Sequence, residues 1–180
     1  QFCTVLDLPL WAFTCSVPHW SYPVPTEGHI RFQLMCDLAY GARGLQYFTY
    51  MGETALVRND GSTTPTWEIA RKVNGDIHAL WKKMRNLRSI GVHHTGPLWP
   101  GTTPPMLTPV EAWGDGQWQK HQLRPTFQCL GDPAVIGLFD DPEGNLYVLV
   151  VNRNPVEGGS ISLDPGLNDA TPHKWHPLGP

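Results

Sequence analysis

Ala39–Met51, Ala-Tyr-Gly-Ala-Arg-Gly-Leu-Gln-Tyr-Phe-Thr-Tyr-Met, constrains the fold more than any other stretch of this chain. Gly41 and Gly44 suit a helix end and a tight loop, because glycine takes positive φ without a Cβ clash. Leu45–Tyr50 is short, apolar and aromatic with little polar alternation, the pattern of a strand covered on both faces. A similar run, Pro9–Thr14, precedes it, and a helix-like segment, Thr26–Tyr40, lies between the two. Thr64–Ile90 follows as a longer helix-like segment. The order strand, helix, strand, helix predicts an α/β unit with a parallel sheet.

The helices carry their own punctuation. Thr26 is placed as an N-cap, with Glu27 in the first turn where a carboxylate complements the helix dipole. Ile30, Phe32, Leu34, Met35 and Leu38 repeat at helical spacing. Thr64-Pro65 opens the second helix, and Val73, Ile77, Leu80, Trp81, Met84 and Leu87 mark its apolar face. Lys82, Lys83, Arg85 and Arg88 cluster near its end as a solvated basic face.

Composition changes after Val92. Prolines and glycines become frequent, which places a domain boundary near Thr95 and divides the chain into residues 1–95 and 96–180. Three strands stand out beyond it, Ala134–Phe139, Leu146–Asn152 and Ser160–Leu163. The first two are joined by the turn-like run Asp140-Asp-Pro-Glu-Gly-Asn145. Short strands between turns predict part of a β-sandwich.

In a parallel α/β fold the residues just past the strand ends face the functional side. After the first strand these are Cys15 to Pro25, a loop with His19, Trp20, Tyr22 and three prolines. After the second come Tyr50, Met51 and Glu53. The chain holds eight tryptophans and 18 prolines in 180 residues. Exposed tryptophans on proline-stiffened loops suit stacking on flat apolar ligand faces such as sugar rings, whereas a tryptophan in the core is simply filler.

Other classes lack support. A net charge of -3 gives no field for nucleic acid or an anionic membrane, and no run is long enough to span a bilayer. Cys3, Cys15, Cys36 and Cys129 have no zinc-ligand spacing, and Cys15 and Cys36 are expected to pack as small hydrophobes. His93, His94, His173 and His176 are read as surface histidines, so no metal or cofactor is expected. The chain opens at Gln1 with no signal segment, which leaves localisation open, a secreted or periplasmic parent included, and suggests a piece of a longer protein.

Pro9-Leu-Trp-Ala-Phe, Ala39 to Tyr50, and Thr64-Pro-Thr-Trp with Val73-Asn74 together resemble the end of a clan A glycoside hydrolase, with family 42 β-galactosidases the nearest in kind. Gly137 to Asn152 looks like the C-terminal sandwich that often follows such enzymes. The resemblance implies a partial (β/α)8 TIM barrel, strands seven and eight with their helices, followed by a partial β-sandwich. It also implies hydrolysis of a β-linked sugar by two carboxylates, one after strand four and one at the end of strand seven. Strand four has no counterpart here, and the end of the strand similar to the seventh reads Phe13-Thr-Cys-Ser16, with no carboxylate. The catalytic residues are therefore unassigned, and the fragment alone is expected to be inactive.

His19, Trp20, Tyr50 and Glu53 are the predicted sugar-binding residues, Glu53 because similar enzymes place a glutamate after strand eight. Tyr50 or Met51 stands where they carry an aromatic sugar platform. A non-catalytic carbohydrate-binding protein is the alternative. An unrelated α/β enzyme is disfavoured, since no glycine-rich phosphate loop is present. The expected partner is a carbohydrate, and oligomeric state is open.

Overall fold

A computed structural model describes residues 8–96 and 128–164. Seven strands and two helices follow in the order β1 (Leu10–Cys15), α1 (Glu27–Ala39), β2 (Ala42–Phe48), α2 (Pro65–Met84), β3 (Arg88–His94), β4 (Gln128–Gly131), β5 (Ala134–Asp140), β6 (Leu146–Asn152) and β7 (Ile161–Asp164). Strands β1 and β2 pair in parallel, as the strand–helix–strand order requires.

Thr26 caps α1. Its hydroxyl accepts from the His29 N–H, and the His29 ring closes a capping box on the Thr26 N–H. Thr64 opens α2 without capping it through its side chain; its buried hydroxyl donates instead to the Ala55 and Leu56 carbonyls. That bond holds the β2–α2 loop under the helix start.

The barrel expectation is overturned. Among the described residues the parallel sheet stops at two strands. After α2 the chain does not return parallel to β2. It forms β3, which runs antiparallel to β5 in a sheet of order β3-β5-β6. The fold is thus a small mixed α/β arrangement, with a parallel pair, a three-stranded antiparallel sheet and a further β4–β7 pair.

The physical reason lies in α1. Ile30, Leu34, Met35, Leu38 and Ala39 are all buried, which is more than one narrow stripe. They share one core with Val73, Ile77, Met84 and Leu87 on the α2 side and with Val92, Val135, Phe139 and Val151 of the antiparallel sheet. A helix on the outside of a barrel would turn one of these faces to water.

The expected hairpin of the C-terminal region forms, but its inner face rests on a helix. Val135 and Phe139 of β5 meet the α1 core, while Ala134, Ile136 and Leu138 on the alternate face pack with Ile90, Val150 and Ile161. Gly137 lies between Val135 and Phe139 where α1 comes closest: a Cβ there would stand 2.6 Å from the Ala39 carbonyl oxygen. The core therefore draws on residues from both sides of Thr95. No described helix is long and apolar enough to cross a membrane.

Candidate functional site

The parallel pairing decides which loops meet. Cys15 lies opposite Phe48, and the Ser16 N–H extends the ladder to the Phe48 carbonyl at 2.9 Å. The loops after β1 and β2 therefore leave from the same end of the pair. His19 and Tyr22 close a tight turn by exchanging backbone hydrogen bonds of 3.3 and 2.9 Å. Inside that turn Trp20 has φ 52, a left-handed conformation that costs a residue with a Cβ about 1–2 kcal/mol. Its side chain is 95% exposed.

His19 is the hinge of the cluster. Its ring stacks on Trp20 with centroids 5.3 Å apart and planes within 14°, and it meets Phe48 edge-on at 5.8 Å. The result is an aromatic rim built from both loops and left open to water. Tyr22 and Tyr50, also exposed, flank the same strand ends in sequence. The Tyr50 carbonyl accepts from the Val57 N–H, which pins its loop backbone while the ring stays outside the core. Exposed Glu53 accepts from the Asn59 amide at 2.8 Å across its own loop.

Of the four predicted residues, His19 and Trp20 are brought together. Tyr50 projects from the second loop, and Glu53 is tied to Asn59. Phe48 was missed. The sequence carries little signal for it, because an aromatic residue within a short apolar run reads as strand core.

The polar residues under the rim are committed to structure. Thr14, fully buried, donates to Asp37 at 3.4 Å. The Cys15 thiol donates to the Val17 carbonyl, and the buried Ser16 hydroxyl donates to the Thr49 carbonyl. Each potential nucleophile thus has a local acceptor, a backbone carbonyl for Cys15 and Ser16 and the Asp37 carboxyl for Thr14, whose own side chain is fully buried. The Gln33 amide accepts from the Cys15 N–H at 2.8 Å and donates to the Cys15 carbonyl at 3.3 Å, covering the strand end.

Glu27 holds α1 to α2 by pairing with Arg31 and Lys72, and Lys72, then Arg31, keep its carboxyl below the usual range. Burial pushes the Asp37 carboxyl up to about 6, partly offset by the Thr14 hydrogen bond. Burial also raises the Cys36 thiol to about 12, so it is no thiolate at neutral pH. Cys15 and Cys36 are both half-buried free thiols.

His93 corrects the surface-histidine expectation. It is buried in β3, and that burial pushes its pKa down to about 4, with His94 adding to the effect. Half-buried His94 shares a 2.6 Å hydrogen bond with the Tyr40 hydroxyl. His173 and His176 lie outside the described residues. Among the described residues no group of histidine, cysteine and carboxylate side chains has the arrangement of a metal site.

Compared with protein-family models, with curated proteins and with solved structures, the chain matches none.

Proposed function

We propose that this chain contributes the sugar-binding surface of a glycoside hydrolase acting on β-linked sugars, with a galactoside as the first candidate. The observation that supports it best is the exposed rim of His19, Trp20 and Phe48 at the shared end of β1 and β2. A pyranose ring has an apolar C–H face that stacks on an aromatic plane, and the 95% exposed Trp20 indole, with His19 stacked beside it, offers one. Tyr50 supplies a second flat face. Glu53 and His19 supply hydrogen bonds to hydroxyl groups, stronger where the side chain is charged.

Hydrolysis needs a pair of carboxylates across the glycosidic bond. Asp37 is occupied beneath the strands by Thr14, and no carboxylate follows Thr14 in the strand. In this proposal the chain positions sugar and leaves bond cleavage to residues outside it. The same observation favours a second reading, a protein that binds carbohydrate without cleaving it.

Titration with a β-linked galactobioside or glucobioside, followed by tryptophan fluorescence, tests the binding surface. Trp20→Ala is expected to weaken sugar binding at least tenfold, about 1.4 kcal/mol, with an unchanged melting temperature because the side chain is so exposed. Unchanged affinity in a folded variant would exclude Trp20 from the site. Turnover of an aryl β-galactoside by the chain itself, lost on substitution of one of its own carboxylates, would contradict the division of labour. For the two readings, hydrolysis by the complete polypeptide supports the hydrolase, and binding without turnover supports the binder.

A further inference from the structure

We propose that two copies of the chain associate through the free edge of β1, pairing antiparallel about a two-fold axis at Ala12. Strand β1 has β2 on one side and no strand on the other among the described residues. Leu8 to Cys15 contains no charged residue, so the edge lacks the usual charged guard against pairing. Beside β2, by contrast, Arg43 reaches the Arg85 and Leu87 carbonyls, and the chain leaving α2 lies alongside.

The hydrogen-bond alternation fixes which groups are available. The Ser16 N–H points to β2, so the backbone groups of Cys15, Phe13 and Trp11 point to the open side. Those of Cys15 are taken by the Gln33 amide. Trp11 and Phe13 remain. Only a register centred on Ala12 pairs both, placing Trp11 opposite the Phe13 of the second copy and the reverse. Each such pair exchanges two backbone hydrogen bonds. One step further, Cys15 meets the second copy's Pro9, which has no N–H to give. The ladder ends there on both sides, and because the two-fold pairing uses the open β1 edge of each copy, the association closes as a dimer and does not propagate.

The side chains fit the same register. Directly opposed residues of an antiparallel pair lie on one face, so each Trp11 ring stands beside a Phe13 ring. These rings are 60% and 66% exposed in the single chain, on the face turned away from Thr14 and α1. With aromatic side chains covering about 150–250 Å² when buried, the four rings leave roughly 500 Å² to bring together. That is below the ~1,200 Å² of a stable interface, and it points to a reversible, concentration-dependent dimer.

Sedimentation velocity of the 180-residue chain over a concentration series is the first test. A monomer–dimer equilibrium is expected, weakened at least tenfold by Phe13→Lys and by Trp11→Lys, both exposed and so compatible with an unchanged fold. A monomer at all concentrations up to several hundred micromolar overturns the proposal, and so does a dimer equally strong in both variants. Register is tested by mixing Trp11→Cys and Phe13→Cys chains and mapping the disulfides formed on mild oxidation. The 11-to-13 cross-link is expected to exceed the 11-to-11 and 13-to-13 links; the opposite order overturns the Ala12-centred pairing.

Discussion

Gly137→Ala is expected to destabilise the chain by about 3 kcal/mol or more, the upper end of what overpacking costs. Added to β5, the methyl group would lie 2.6 Å from the Ala39 carbonyl oxygen and 2.7 Å from its Cα. Both are backbone atoms of the last turn of α1, so no side-chain rotation relieves the contact. Relief requires α1 to move away from β5, and α1 is held on its other side by α2 and the parallel pair through the shared core. Separation therefore loosens Ile30, Leu34 and Leu38 along with Val135 and Phe139. A drop of roughly 10 °C in melting temperature follows for a chain of this size. Gly75→Ala is the control. No atom lies within 4 Å of a Cβ at Gly75, in the exposed middle of α2. There the same substitution should stabilise by roughly 0.5–1 kcal/mol through helix propensity. Urea midpoints that move in opposite directions meet the expectation. A neutral Gly137→Ala would mean that α1 and β5 are not held at this separation.

Gly137 also marks where the sequence stopped being readable. Several local elements were legible because each is written in its own residues: the Thr26 cap, the spacing of Val73, Ile77 and Met84, and the short apolar runs on both sides of the Asp140–Asn145 turn; β3 was not, since the helix-like reading ran on to Ile90 where the helix ends at Met84. How many strands join a parallel sheet is not written that way. The apolar run Leu45–Tyr50 has the same pattern in a two-stranded pair as in a closed barrel. The decisive signals were the width of the apolar surface on α1 and a glycine between Val135 and Phe139, and each acquires meaning only once the other is placed. The candidate site divides similarly. Loop position singled out His19 and Trp20, both of which are exposed. It could not find Phe48, which looked like strand core, and it could not anticipate that Asn59 would take up Glu53. His93 was misjudged because a histidine pair at a strand end has no burial signature until β5 lies against it.

Asp37 provides a pH dependence of opposite sign to the usual carboxylate. In the folded chain burial holds its pKa at about 6, against about 3.9 for an unfolded aspartate. Between these values the folded state binds more protons than the unfolded one, so stability is full below about pH 4 and falls as pH rises through 6. Two units correspond to about 3 kcal/mol; partial solvent access at this half-buried group reduces the expected effect to about 2 kcal/mol. Asp37→Asn removes the charge while its amide oxygen still accepts from Thr14, 3.4 Å away in the parent chain. The variant is therefore expected to be about 2 kcal/mol more stable than the parent at pH 7.5 and nearly equal to it at pH 4. Urea unfolding at the two pH values measures both differences. A gain of the same size at both would assign the effect to packing, and no gain at pH 7.5 would mean that Asp37 ionises in the folded chain without penalty.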